Sequence, residues 1–375
     1  MRKIRLLAPL ALVLAACVPA EPPLSQSAPI EVMDDRELIV LTAPPAATLI
    51  AAAEARGYRV RSVHDLDELD DVLVVFQIPD GTTIPEAIAE TEEAVPGVTA
   101  GANHLYRLQS DLRPERSYAD ELIGWPAGGC TAVRRVGLID AGVVPGHPGL
   151  TDGRITQQRF VPGETPPTTN HGTLMAELLV GPGRLTETTL YSANVIDPDG
   201  GVGDAAGVVS ILRSMNWLRE NGVDVVNISL AGPRNKLLNR ALGRAAEEGV
   251  VIVAAAGNLG PSAPPQYPAA FPFALAVTAV DRDREVYRRA VRGAHIDVAA
   301  PGVDILVRSE GALRVSSGTS MAAPVVTAVL AASPQLADGD VEMLRTRLNA
   351  MTEDLGEPGK DAVFGEGLIS APPTC

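Results

Sequence analysis

The sequence predicts an α/β protein: a doubly wound, mostly parallel sheet, preceded by a small α+β domain of ferredoxin-like order. Three observations predict it. Between residues 131 and 375, short runs rich in Val, Ile and Ala alternate with helical segments. Most of those runs lack in–out alternation, as strands of a parallel sheet covered on both faces do. Upstream, residues 37–109 offer strand-like and helix-like segments in the order β-α-β-β-α-β.

The N-terminal stretch belongs to neither domain. Arg2, Lys3 and Arg5 precede an apolar run from Leu6 to Leu14. That run is too short to cross a bilayer as a helix, so residues 1–16 read as a signal peptide. It ends Leu14-Ala15-Ala16-Cys17, which resembles a bacterial lipobox. The resemblance implies cleavage before Cys17, lipidation there, and an exported cell-envelope protein tethered to the membrane through acyl chains. An ordinary secretory signal with an incidental cysteine is the alternative. Residues 17–36 are rich in Pro, Ala, Ser and acid and read as a flexible spacer. No later stretch is apolar for long enough to span. A formal charge of −15 argues against nucleic acid as a partner and for a self-repelling, soluble surface.

In the first domain, Glu37–Thr42 is a short apolar strand, and Ala46–Arg56 a helix closed by Gly57. Tyr58–Val63 and Val72–Ile78 read as strands, Ile84–Val95 as a helix with an acidic face, and Val98–Leu108 as the last strand. His64 and His104 read as surface or packing residues. Residues 110–130 carry no strong pattern and connect the domains.

In the second domain, strand-like runs fall at Val136–Ile139, Leu190–Ile196, Val223–Leu230, Val250–Ala256 and Ala274–Val280. Helices are expected over Ala206–Asn221 and Asn235–Glu248, stopped by Gly222 and Gly249. Sites in such sheets lie at the carboxyl ends of strands. Asp140 stands at one such end and Asn258 at another, and His171 opens a helical segment. Ser320 lies in Gly318-Thr319-Ser320-Met321-Ala322-Ala323-Pro324, at the start of a helix running to Ala332. A helix N-terminus favours developing negative charge, which suits a serine whose reaction passes through an oxyanion. Singly, each residue has a plain reading as a cap or turn residue.

Together, the heptapeptide at Ser320 and the order Asp140, His171, Asn258, Ser320 resemble the subtilisin-like serine proteases. Asn227-Ile228-Ser229-Leu230, Ala299-Ala300-Pro301-Gly302-Val303 and Phe364-Gly365-Glu366-Gly367-Leu368 add to the resemblance, which covers nearly all of residues 131–370. It implies a serine endopeptidase acting on protein or peptide substrates. Ser320 would be the nucleophile, His171 the general base, Asp140 its orienting acid and Asn258 the oxyanion donor. Gly201, Val202 and Gly203, with Ser229, Leu230, Ala231 and Gly232, would edge a cleft that pairs with an extended peptide. Residues 37–109 resemble the family's propeptide in position, size and element order. That implies an intramolecular chaperone and inhibitor, cut from the enzyme near Leu108–Arg116 by the enzyme itself. Autocleavage would then free the enzyme from a lipid carried on the propeptide side.

Some positions depart from the family. Ala141 replaces the usual hydroxyl residue beside the acid. Glu177 replaces a close-packing glycine on the His171 helix, and Ser229-Leu230-Ala231-Gly232 stands where two glycines commonly follow the leucine. They leave open a second reading, a subtilase-fold lipoprotein that binds peptides without turnover. No cofactor is implied for catalysis. Asp197, Asp199 and Asp204 could suggest the structural calcium that many relatives bind, but their spacing matches no EF-hand pattern and a solvated acidic loop accounts for them. With Cys17 lipidated, Cys130 and Cys375 remain as an even pair, either one disulfide or two free thiols.

Overall fold

A computed structural model describes residues 32–108, 111–112, 118–150, 154–163, 165–198, 205–309, 312–334, 341–373 and 375. Cys17 and the rest of the export segment lie outside these residues, as do Gly201, Val202, Gly203, Asp199 and Asp204.

The first domain contains β1 (Glu37–Thr42), α1 (Ala47–Glu54), β2 (Arg59–Leu66), β3 (Asp71–Gln77), α2 (Ile84–Ala94) and β4 (Thr99–Ala102). Its strands form one antiparallel sheet in the order β2-β3-β1-β4, the order of a ferredoxin-like split βαβ unit. Thr83 and Glu86 cap α2 reciprocally. Along β1, Leu38 and Val40 face a core that also holds Leu49, Val74 and Phe76. Ile39 and Leu41 face the opposite way and join a core of the second domain. An antiparallel sheet commonly keeps one wet face. Here the central strands β1 and β3 are buried on both faces, which is why they read as apolar runs, while the edge strand β2 keeps exposed positions.

The sequence suggests one strand from Val98 to Leu108, but the chain breaks it at Asn103 and His104. The second half is a separate strand, β5 (Leu105–Leu108), which leaves the first sheet altogether. A two-residue strand follows, β6 (Asp111–Leu112), then helix α3 (Ala119–Ile123) in the connecting segment, and β7 (Cys130–Thr131).

The second domain continues β8 (Val136–Asp140), β9 (Ile155–Arg159), α4 (Asn170–Val180), β10 (Leu185–Thr186), β11 (Leu190–Asn194), β12 (Ile196–Asp197), β13 (Ala205–Gly207), α5 (Val208–Glu220), β14 (Val225–Ile228) and β15 (Leu230–Ala231). It ends with α6 (Lys236–Glu247), β16 (Val251–Ala255), β17 (Ala274–Val280), β18 (Ile296–Pro301), the hairpin β19 (Ile305–Ser309) and β20 (Ala312–Ser317), α7 (Thr319–Ala332), α8 (Val341–Asn349), β21 (Thr352–Glu353) and β22 (Leu368–Ile369). The large sheet has nine strands, β21-β22-β18-β17-β16-β14-β8-β11-β9, parallel throughout except for the edge pair β21-β22. Helices α4 and α7 cover one face, and α5 and α6 the other. Helix α7 is buried along its whole length, so its run of Ala and Val needs no polar stripe.

The first domain rests its outer sheet face on α5 and α6. Asn235 caps α6 by accepting from the backbone of Leu237 and Leu238, while its Nδ2 donates to the Ala102 carbonyl. Arg240 forks onto the buried Asp71 carboxylate, with Nε to Oδ2 at 3.0 Å and Nη2 to Oδ1 at 2.6 Å. Its remaining Nη1 reaches the Gly97 carbonyl and Thr99 Oγ1. Lys236 pairs with Glu92, and Asn216 Oδ1 accepts from the Glu68 backbone. Cys130 and Cys375 are joined in a disulfide, tying the start of the second domain to its end.

Candidate active site

Asp140, the last residue of β8, is fully buried. His171 is the second residue of α4, and its Nδ1 donates to Asp140 Oδ1 at 2.7 Å. The Ala141 backbone N–H donates to the same oxygen, also at 2.7 Å. Asp140 Oδ2 makes no hydrogen bond, as the missing hydroxyl at position 141 leads one to expect. The other imidazole nitrogen, His171 Nε2, is buried and makes no hydrogen bond either. With Nδ1–H committed to the carboxylate, the neutral ring keeps its lone pair on Nε2.

Ser320 is the second residue of α7 and is buried. Pro324, four residues on, lacks the N–H that would normally hold the Ser320 carbonyl. Ser229 Oγ takes its place, donating to that carbonyl at 3.2 Å. Ser229 Oγ itself accepts from Asn227 Nδ2 at 2.9 Å, and Thr327 Oγ1 donates to Asn227 Oδ1 at 3.1 Å. Buried β14 and α7 are thus stitched together directly beneath the serine.

Asn258 follows β16 and is 5% exposed. Its Oδ1 accepts from the Thr319 backbone at 3.1 Å and from Thr319 Oγ1 at 3.0 Å. Thr319 Oγ1 in turn accepts from the Gly257 backbone. Both bonds fall on the oxygen, so the amide orientation is set and Nδ2 is turned away from the Thr319 backbone. The sequence reading treats Thr319 and Asn227 only as parts of their motifs and passes over Thr327. Their buried, mutually hydrogen-bonded side chains carry no local pattern.

Glu177 lies in α4 with its Oε1 3.5 Å from His147 Nδ1, both side chains being largely buried. Gly149 leaves the room a side chain there would fill. The glycine expected on the helix has been traded for a carboxylate, and the accommodating glycine stands in the facing turn. His64 bonds Ser62 Oγ, and His104 Nδ1 meets Asn235 Nδ2, so both pack in and around the domain contact.

Strand β5 lies between two short strands of the second domain. On one side it is antiparallel to β13, with Leu105 opposite Gly207, Tyr106 opposite Ala206 and Arg107 opposite Ala205. On the other it is antiparallel to β15, with Arg107 opposite Ala231 and Leu108 opposite Leu230. Two residues later, Asp111 and Leu112 of β6 pair with Ser317 and Ser316, just ahead of Ser320. Strand β5 is therefore flanked by Ala205–Gly207 and Leu230–Ala231. The sequence reading misses the first because Ala205-Ala206-Gly207 runs into a helix. Among the described residues no group of three or more His, Cys, Asp or Glu side chains is arranged to hold a metal ion. Nor is any described helix long and apolar enough to cross a membrane.

Comparison with known proteins agrees with this arrangement. Residues 134–367 match the model of the subtilase family, peptidase S8. The chain is 33% identical to subtilisin DY of Bacillus licheniformis over 255 residues, which is 63% of this chain and 88% of that protein. It is 32% identical to subtilisin E of Bacillus subtilis over 256 residues, 64% of that protein. It is 30% identical to the minor extracellular protease Epr of Bacillus subtilis, of which it spans 39%. The crystal structure of fervidolysin from Fervidobacterium pennivorans, a keratinolytic enzyme related to subtilisin, superposes with a TM-score of 0.72 at 22% identity, over 91% of this chain and 63% of that one. A family match over more than half the chain, on a mostly parallel sheet of subtilisin type, makes this chain a member of the subtilase family and a serine-type endopeptidase.

Proposed function

We propose that Asp140, His171 and Ser320 form the catalytic triad, and that the first substrate is the chain's own N-terminal domain. The observation that carries this reading is the pairing of residues 105–108 and of residues 111–112. The segment is paired in the cleft as a peptide would be, then paired again beside Ser317, three residues from the serine. Ser320 Oγ attacks the carbonyl of a bond between the two paired segments while His171 Nε2 accepts the hydroxyl proton. Asp140 holds the ring tautomer and stabilises the imidazolium. The oxyanion is met by Asn258 Nδ2 and by backbone N–H at the start of α7, where helical donors have no intrahelical acceptor. His171 then protonates the leaving amine, and water repeats the sequence on the acyl-enzyme.

The bonds between the two paired segments are Leu108–Gln109, Gln109–Ser110 and Ser110–Asp111, and the processing cut falls among them. The first domain then acts as the propeptide and stays as an inhibitor until its contacts with α5 and α6 fail. Residues 1–16 direct export and Cys17 carries the lipid, so processing separates the enzyme from its membrane tether. Export is consistent with the similarity to the minor extracellular protease Epr.

Intact mass of the purified protein, wild type beside Ser320→Ala, tests this. The wild type should separate into a fragment ending at residues 108–110 and the remainder, and the variant should stay whole. A fluorophosphonate should label wild type alone. An unprocessed wild type that takes no label would favour the binding-only reading.

A further inference from the structure

Asp304 holds a conformation its residue type seldom takes, close to the proposed nucleophile. Its φ is 55°, in the left-handed region, where a side chain crowds the backbone. A reciprocal clasp with Ser317, three residues ahead of Ser320, holds it there. The Asp304 backbone N–H donates to Ser317 Oγ at 2.8 Å, and Ser317 Oγ donates to Asp304 Oδ1 at 3.0 Å. Beside the clasp, the Gly318 N–H donates to the Gly302 carbonyl at 2.8 Å. A Cβ on Gly302 would sit 2.8 Å from the Gly318 carbonyl oxygen, so the two stretches meet backbone to backbone. Residues 302–304 therefore grip Ser317 and Gly318 from one side, as Asn258 grips Thr319 from another. Tyr118 pins this grip. Buried at the head of α3, it lies beyond the proposed cut and stays with the enzyme. Its hydroxyl is 2.7 Å from the Val303 carbonyl oxygen and 2.9 Å from that of Val280, the last residue of β17. The Val303 carbonyl and the Asp304 N–H share one rigid peptide plane, so holding the carbonyl aims the N–H at Ser317. Burial raises the Tyr118 phenol pKa, which keeps the hydroxyl a neutral donor.

We propose that Asp304 is a positioning residue for Ser320, and that Tyr118 acts through it. Together they fix the turn that sets where Ser320 Oγ attacks and where the first N–H groups of α7 meet the oxyanion. This rests on the reading of Ser320 as the nucleophile. Misplacing a reacting group by 1 Å costs on the order of 100-fold in rate. Loss of the clasp leaves the hold of Asn258 in place, so it should lower kcat by roughly 10-fold and leave KM unchanged.

The test uses the processed enzyme, with acetyl-Leu-Tyr-Arg-Leu p-nitroanilide as substrate and the rate of fluorophosphonate labelling as a second readout. The peptide carries the chain's own residues 105–108 and nothing peptidic beyond the cut bond, so the pairing edge at Ser317 does not enter KM. Asp304→Gly takes the positive φ freely but lacks the carboxylate. It should lose roughly 10-fold in kcat and in labelling rate. Its thermal midpoint, read in Ser320→Ala protein, should stay within about 3 °C of the parent. Asp304→Asn keeps Oδ1 and tolerates the left-handed region, so it should recover most of the rate. Tyr118→Phe keeps the ring without the pin and should show a smaller loss of the same kind. Unchanged kcat and labelling in Asp304→Gly would overturn the proposal and leave Ser320 standing as the nucleophile. A loss that Asp304→Asn does not restore, or one matched by a fallen midpoint, overturns it as well. A wild-type enzyme that takes no label overturns the nucleophile and the proposal together.

Discussion

Replacing Arg240 by Met should loosen the grip of the N-terminal domain on the enzyme. The Asp71 side chain is fully buried, and the Arg240 guanidinium supplies both of its hydrogen bonds across the domain contact. Burial raises the Asp71 pKa and the charge of Arg240 opposes it, so the carboxylate depends on the arginine for its ionised form. Removing one partner of a buried pair costs about 3–5 kcal/mol, because the other is left uncompensated. Arg244 Nη1 stays 4.0 Å from Asp71 Oδ2 and offsets part of this, which places the cost near ~3 kcal/mol. At about 1.4 kcal/mol per decade, the fragment should dissociate roughly 100-fold faster after processing. The assay follows activity and co-purified fragment with time after processing. Without Arg240 the raised Asp71 carboxyl is charged and unpaired at neutral pH and neutral once protonated, so the defect should be largest at neutral pH and shrink as pH falls through the Asp71 titration. Asp71→Leu combined with Arg240→Met should recover much of the loss, since an apolar pair of similar shape leaves no charge behind. Retention of the fragment in Arg240→Met for as long as in wild type would refute the reasoning.

Three further outcomes follow from the same geometry. Asn258→Ala should lower kcat by roughly 10²–10³, or about 3–4 kcal/mol, with little change in KM; the magnitude comes from subtilisin itself, and steady-state kinetics on a peptide substrate checks it. Burial lowers the pKa of both His64 and His104, and the charge of Arg213 lowers that of His64 further. Each histidine is docked neutral, so the undocked form binds more protons below about pH 6.5, and fragment retention should weaken as pH falls from 7.5 to 5.5, by at most about tenfold per unit per histidine. Cys375→Ser opens a loop spanning 245 positions and should cost about 2–5 kcal/mol of stability, read from denaturant midpoints of the Ser320→Ala protein with and without the change.

The candidate catalytic side chains stand out in the sequence because their surroundings are local and chemical. Asp140 ends a strand, His171 and Ser320 open helices, and Asn258 closes a strand, each within a short motif. Buried parallel strands such as Ala274–Val280 were read with the observed bounds, because nothing but apolar residues fits there. What stayed hidden depends on partners far along the chain. Nothing in Leu105–Leu108 says that it pairs with Ala205–Gly207 rather than with β1. Strand β9, Ile155-Thr156-Gln157-Gln158-Arg159, is a sheet edge with polar, exposed positions and lacks the apolar signature. Helix α8 and the hairpin of β19 and β20 were likewise passed over. One signal was present and unused: β1 and β3 carry unbroken apolar runs at residues 38–41 and 72–76, which in a small antiparallel sheet already announce a second covered face.

Lys236, Arg240 and Arg244 fall at every fourth position of α6, a stripe of like charge that a free helix would resist. Docked, the stripe is answered by Glu92, by Asp71 and by the carbonyls of Gly97 and Leu69. Undocked, it becomes a band of positive potential on a molecule whose sequence is otherwise strongly acidic. On the proposed processing, release of the first domain would therefore change the electrical shape of the enzyme as well as open its cleft. The exposed stripe would add a salt-sensitive attraction toward acidic surfaces at that face.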